Sequence, residues 1–406
     1  MKILIYGVNY APELTGIGKY TGEMAEWLVA QGHEVRVVTA PPYYPEWKVS
    51  NEYASVFYRR EQVNGVRVYR CPLYVPVKPS GMKRIIHLAS FALSSLPIML
   101  KQVFWKPDVV MVIEPPLFCA PTAWMVARLS SGKCWLHIQD FEVDAAFELG
   151  IIPFTALQKL IFWLETGLMK GFDVVSTISN AMLQRLQSKG VKNPVLFPNW
   201  ADLSRVQFTE DGRQAFRHDL GVEDKKCLCL YSGNIAVKQG LDILLDVAKA
   251  LQNFQFVICG DGANRQALED SAKKYGLNNL NFLPLQPLEK LSAMLSAADI
   301  HLVIQKKGAA DLVMPSKLTN IFAVGGLALV TAEEQSELGR LADKPYSCVY
   351  RCNPEDTQAL IETIMTLHQD QALCEFIRAQ AKSYAAQYID KQKVLGDFQK
   401  KLQEVV

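Results

Sequence analysis

Met1-Lys2-Ile3-Leu4-Ile5-Tyr6-Gly7-Val8-Asn9-Tyr10-Ala11-Pro12-Glu13-Leu14-Thr15-Gly16-Ile17-Gly18-Lys19-Tyr20 opens the chain with a short apolar run, a glycine-bearing loop and an amphipathic stretch over residues 19–31. A run that is apolar at successive positions suits a strand buried on both faces, as in a parallel sheet covered by helices. The same unit recurs. Apolar, β-branched runs at residues 34–39, 66–70, 108–113, 133–138 and 173–178 alternate with helical stretches such as 121–129 and 180–189. The pattern restarts at residues 227–231, 255–259, 279–283, 300–305 and 328–331. The fold class this predicts is α/β, two doubly wound Rossmann-like domains. Phe197-Pro198-Asn199-Trp200 marks the boundary, giving domains 1–198 and 199–385, with residues 386–406 a C-terminal helix packing back on the first domain.

The 406 residues exceed what one core supports, and an apolar fraction of 50% excludes intrinsic disorder. Forty-three basic against 41 acidic side chains leave a net charge of +2, without the basic excess of a nucleic-acid binder. The start of the chain lacks the longer apolar stretch and small-residue cleavage site of a signal peptide, so a cytoplasmic location is expected. The nine cysteines fall largely in apolar runs with no C-x-x-C pair, which reads as reduced core residues rather than a metal site.

Four stretches could carry chemistry. Gly16 and Gly18 lie between the first strand and first helix, where free N–H groups favour an anion. The dinucleotide spacing G-x-G-x-x-G is not met, because Gly22 follows Gly18 by four. Residues 232–240, SGNIAVKQG, open the first helical segment of the second domain, with Gly233, Asn234 and the cation Lys238 suited to a diphosphate. Residues 305–320 end in Pro315-Ser316-Lys317-Leu318-Thr319-Asn320, a helix start with Lys317 in its first turn. A cation there opposes the helix dipole, a local conflict that an anion would resolve. Finally His137, Asp140, Glu142 and Asp144 follow one another at the carboxyl end of a first-domain strand, where open parallel sheets bind ligands. Asp140, Glu142 and Asp144 could supply a base, bind a substrate hydroxyl or stabilise charge, or could form a solvated loop. Glu114, ending the preceding strand, is expected to face the same cleft, and His137 is either a third catalytic candidate or a core histidine.

Two apolar stretches stand apart. Residues 83–101 are strongly apolar between Lys83, Arg84 and Lys101, and residues 153–172 are rich in aromatic and aliphatic side chains. They are either buried core helices or an interfacial surface resting on a membrane. The uncharged part of the first, residues 85–100, is short for a bilayer span.

Taken together, TGIGKY at 15–20, SGNIAVKQG at 232–240, CGDG at 259–262 and PSKLTN at 315–320 resemble a family-4 glycosyltransferase of the GT-B fold, whose two domains face a cleft. NYAPELTGIGKYTGEM at 9–24, APPYYP at 40–45, LHIQDFEVDA at 136–145 and QKKGAADLVMPSKLTNIFAVGG at 305–326 are most similar to the colanic acid biosynthesis glycosyltransferases. The resemblance implies a retaining, metal-independent hexosyltransferase with no cofactor. The donor it implies is a nucleotide sugar, GDP-fucose. The acceptor is an undecaprenyl-diphosphate-linked saccharide in exopolysaccharide assembly, met at the inner-membrane surface by a peripheral enzyme. Gly16, Gly18, Gly233, Lys238, Ser316 and Lys317 match the donor or phosphate positions. Asn234 stands where many relatives carry Arg. Asp311 lies near the first of two family glutamates, and Asn320 occupies the second. Ile113-Glu114 replaces a family histidine, which directs attention to Asp140. A sugar-nucleotide epimerase of the same architecture, a non-catalytic nucleotide-sugar-binding protein and an NAD dehydrogenase are the alternatives.

Overall fold

The computed structural model describes all residues except 14–15, 55–56, 78–80, 143, 145–154, 224 and 308–314, together with the side chains of 155–158, 160 and 238. The described chain divides into two units, Met1–Phe197 with Leu395–Val406, and Pro198–Val394. The division falls within the proline turn read from the sequence. The last helix, Lys391–Val405, joins the first unit only from Leu395 onward. There Phe398 stacks on Phe197 and meets Trp135 edge-on.

The first unit is built on an eight-stranded sheet: β1 (Lys2–Tyr6), β2 (Glu34–Thr39), β3 (Arg59–Val63), β4 (Val66–Arg70), β5 (Val109–Glu114), β6 (Lys133–Ile138), β7 (Val174–Thr177) and β8 (Val195–Leu196). Their order is β3-β4-β2-β1-β5-β6-β7-β8, parallel apart from the β3–β4 pair. β5 is buried at every position, which is why its sequence shows no alternation. β3, Arg-Arg-Glu-Gln-Val, is the strand the sequence conceals. It is an edge strand whose charges pair locally, Arg59 with Glu61 at 3.0 Å, and charged edges protect a sheet from further pairing.

The second unit carries six parallel strands, β9 (Leu228–Ser232), β10 (Gln255–Cys259), β11 (Leu280–Leu283), β12 (Ile300–Val303), β13 (Ala328–Thr331) and β14 (Tyr350–Cys352). Their order is β11-β10-β9-β12-β13-β14. Both faces of this sheet hold extended apolar clusters. All nine cysteines are buried and unpaired.

Each order places a switch point. In the first unit the chain turns outward in opposite directions from β1 and β5, and in the second from β9 and β12. The crevice at the carboxyl ends of such a strand pair is where open α/β sheets hold ligands.

Candidate functional site

In the second unit the switch point is formed by the turn after β9 and the helix Ser316–Ala323 that follows β12. The turn is tied to the loop after β10 by backbone hydrogen bonds, Gly233 N–H to Cys259 O at 2.9 Å and Ile235 N–H to Asp261 O at 2.8 Å. The crossing is so close that a Cβ on Gly260 would lie 1.9 Å from the Gly233 carbonyl oxygen. Gly233 has φ +141°, and a Cβ there would press on the Lys317 side chain at 3.2 Å. Glycine at 233 therefore lets the lysine lie against the turn.

Lys317 is the unusual residue of this crevice. Its Nζ is buried and makes no hydrogen bond among the described residues. It lies 3.8 Å from the centroid of the Tyr231 ring. Burial alone pulls the ammonium down to about 7. Pro315 precedes the helix without a side-chain cap, and no acidic residue stands in the first turn. A buried amine without a partner among the described residues, beside uncapped backbone N–H groups, offers an anion both positive charge and hydrogen-bond donors. Ser316 is exposed at the helix start and Asn320 is half-buried one turn later on the same side. Asn234 turns its Oδ1 toward Gly262, 2.6 Å from where a Cβ would sit, and its carbonyl accepts from the Tyr231 hydroxyl at 2.7 Å. Lys238 belongs to the turn Val237–Gln239, with its side chain outside the described residues, as is Asp311. Lys306, which sequence reading passed over, packs its stem on Gly240, where a Cβ would meet its Cγ at 2.8 Å.

The glycine loop of the first unit differs from expectation. Gly18 is buried, and a Cβ there would meet Glu13 Oε2 at 2.6 Å. The Glu13 carboxyl accepts the backbone N–H groups of Tyr43 and Tyr44, at 3.2 and 3.1 Å, and the Asn9 amide at 2.9 Å. Gly16, at φ +61°, starts the helix. The space beside this helix start thus holds one of the protein's own carboxyl groups, and Glu13 binds the NYAPELTGIG segment to APPYYP. A phosphate role for Gly18 loses its geometric support here.

Across the first unit's switch point, Glu114 is wholly buried rather than facing an open cleft, and neither carboxyl oxygen has a partner among the described residues. Burial, then Glu142 and Glu165, push its carboxyl well above the usual carboxylate range. Glu142 accepts the Leu117 N–H at 2.9 Å, tying the segment after β6 to the turn after β5. Lys189 lies between Asp144 and Glu165, at 2.8 and 2.6 Å, and Arg185 reaches Asp144 at 2.9 Å. Asp144 is therefore an ion-pair anchor. Asp140 is exposed at the end of β6 and adds its charge to the field on Glu114 and Glu142. His137 is buried, with Nδ1 2.9 Å from Ser176 Oγ and Nε2 3.0 Å from the Gln139 amide nitrogen. Burial takes it down to about 3. With both ring nitrogens occupied and no charge at neutral pH, His137 is placed as a core histidine rather than a proton carrier.

Known proteins bear on this geometry. A glycosyl transferase 4-like domain matches residues 15–200, and the glycosyl transferases group 1 family matches residues 212–384. The chain is a glycosyltransferase of the GT-B fold. This glycosyltransferase is 46% identical over 406 residues to a protein of Escherichia coli (strain K12) named as colanic acid biosynthesis glycosyl transferase WcaI, covering 98% of each chain. Among solved structures, the sucrose-phosphate synthase of Thermosynechococcus elongatus matches with a TM-score of 0.76 at 16% identity, over 100% of this chain and 98% of the other. HepE of Anabaena, solved with UDP and glucose, matches with a TM-score of 0.71 at 14% identity, over 99% of each. At such identities these two establish the fold of the glycosyltransferase, and its chemistry must be argued from its own residues.

Proposed function

We propose that this glycosyltransferase moves a sugar, fucose from GDP-fucose, with retention of configuration and without metal, onto a polyprenyl-diphosphate-linked saccharide in exopolysaccharide assembly. The observation that carries the reading is the buried Lys317 amine at the second unit's switch point, without a hydrogen-bond partner among the described residues, which supports a diphosphate there. The name of the 46% identical Escherichia coli protein supports colanic-acid-like polymer assembly. The departing nucleoside diphosphate needs positive charge, which Lys317, Lys238 and the uncapped N-terminus of Ser316–Ala323 would supply. The leaving phosphate would help take up the acceptor proton on the same face, with Asp140 orienting or deprotonating the acceptor hydroxyl and Glu114 the second candidate for that role. A thermal-shift panel of GDP-, UDP- and dTDP-sugars tests the donor: GDP-fucose is expected to give the largest stabilisation. A larger shift with a UDP- or dTDP-sugar would reassign it. Because the sequence lacks a D-x-D motif, activity is expected to survive EDTA and desalting. A loss restored by magnesium or manganese counts against this part of the reading.

A polyprenyl-linked acceptor requires the enzyme to reach the bilayer surface, and the helix Gly81–Gln102 suits that task. With its extension to Trp105 it is long and apolar enough to cross a membrane by length and composition. One face is built into the fold, however: His87, Phe91, Ser95 and Met99 are buried, and Ser95 Oγ lies 2.6 Å from the Tyr6 hydroxyl. The opposite face leaves Met82, Ile86, Leu93, Leu100 and Phe104 exposed, Leu93 at 73% and Phe104 at 88%. Positions 82, 86, 93 and 100 follow helical spacing, so they form one apolar stripe, continued by Phe104 in the next turn, beside the exposed Lys83 and Lys101, whereas Arg84 lies on the other side of the helix over the Trp47 ring at 5.9 Å. A helix sewn to a sheet along one side rests on a bilayer rather than crossing it. Trp163 and Leu164 are also exposed, whereas Pro153 and Phe154 lie outside the described residues. Replacing Lys83 and Lys101 together with Glu is expected to weaken binding to phosphatidylglycerol vesicles by about thirtyfold or more, at roughly 1 kcal/mol per basic residue. Leu93→Asp should weaken binding to neutral vesicles as well. Wild-type protein that ignores both vesicle types would return this face to an ordinary surface.

A further inference from the structure

The two halves of the second unit's crevice meet on one side chain. Tyr231 lies in β9 within the run Leu-Cys-Leu-Tyr and is wholly buried, so its sequence reads as core. Its ring lies under the Lys317 amine, 3.8 Å from Nζ to the centroid. Its hydroxyl donates to the Asn234 carbonyl at 2.7 Å, pinning the turn that follows β9. Lys317 belongs to the element after β12 and Asn234 to the element after β9, so one residue sets both.

We propose that Tyr231 is the positioning residue of the diphosphate site, its ring holding the Lys317 amine against Gly233 and its hydroxyl holding the turn at Asn234. The inference rests on the assignment of Lys317 to a diphosphate. The chemistry explains why an aromatic ring suits this place better than a carboxylate. A carboxylate would neutralise the ammonium and compete with phosphate for it, at the cost of binding. A ring face attracts the cation without accepting a directed hydrogen bond from it, so the three ammonium donors stay available to the ligand. Lys317 accordingly reaches no hydrogen-bond acceptor among the described residues while lying over a ring. A mobile lysine would have to be ordered when the ligand arrives, whereas one seated on Tyr231 is ordered beforehand.

The experiment is calorimetric binding of GDP, UDP and dTDP, followed with whichever binds tightest. Tyr231→Phe keeps the ring and removes only the bond to Asn234, so the loss should stay below about tenfold, the range of one hydrogen bond. Phenylalanines of increasing fluorination at position 231 keep the shape while draining the negative face of the ring. Affinity should then fall stepwise, by about three- to thirtyfold in all, the range of a cation–π contact. The same series in a Lys317→Met background should be flat. Such isosteric variants keep the fold, which unchanged near-ultraviolet circular dichroism would verify. A flat series with Lys317 present, where Lys317→Met itself weakens binding, overturns the role of Tyr231 and leaves the diphosphate assignment standing. Wild-type affinity in Lys317→Met overturns both.

Discussion

Lys317→Met is expected to weaken nucleoside-diphosphate binding by about ten- to a thousandfold, the range for losing a charge-assisted contact in a desolvated site. The ligand-free protein should at the same time become more stable. In the free protein burial holds the Lys317 ammonium at about 7, below its usual value of 10.5. A basic group whose folded value is depressed contributes stability above its unfolded value, and that contribution is lost as pH falls from 10.5 toward 7. At pH 7 and below wild type therefore carries a penalty that methionine removes. Binding gives the complementary signature. A diphosphate favours the charged amine, so at pH 8 the complex should take up close to one proton. Calorimetry in buffers of different ionisation enthalpy measures that uptake. Affinity should be greatest below pH 7 and decline above it, by up to about tenfold per unit until the value in the complex is passed. Wild-type proton uptake near zero at pH 8, or wild-type affinity in Lys317→Met, would remove the amine from the donor site.

The sheet was legible because parallel strands under helices are apolar on both faces. β2, β4, β6, β10 and β13 carry the bounds read from the sequence, and β5 differs by one residue. β3 and β14 were hidden for a physical reason: each lies at a sheet edge, where side chains answer to solvent and ion pairs rather than to a core. The crevice proposed for the donor drew attention where chemistry conflicts with local structure, as a lysine in a first helical turn does. Tyr231 carried no such conflict, since a tyrosine in an apolar strand is ordinary until its hydroxyl and ring face have named partners. Glu13, Glu165 and Lys189 were equally silent. Their roles depend on contacts 24 to 45 positions apart in the chain, which local spacing cannot announce. Glu114 was found as a residue yet misplaced in its environment: the sequence ends β5 there but does not reveal how completely the fold encloses it.

That enclosure decides between the two carboxyl groups proposed for the acceptor proton, through paired substitutions. Asp140→Asn is expected to lower kcat by about a hundredfold or more with little change in donor affinity, the pattern of a lost general base or orienting charge. Glu114→Gln should keep most of the activity. A base must be ionised and within reach of the hydroxyl it serves. Asp140 is exposed at the end of β6, whereas Glu114 is enclosed, unpartnered among the described residues, and held toward its neutral acid by burial and by Glu142 and Glu165. A neutral carboxylic acid and a carboxamide have nearly the same shape, so Gln should fit. The pH dependence of stability supplies an independent check. A carboxyl group whose folded value is raised contributes stability below its unfolded value of 4.5, and loses it as pH rises through the folded value. The melting temperature of Glu114→Gln should therefore gain on wild type as pH rises above 4.5. A melting difference for Glu114→Gln that does not grow with pH would mean the buried group is already ionised and paired. If that variant were also inactive while Asp140→Asn turned over normally, the acceptor proton would belong to Glu114.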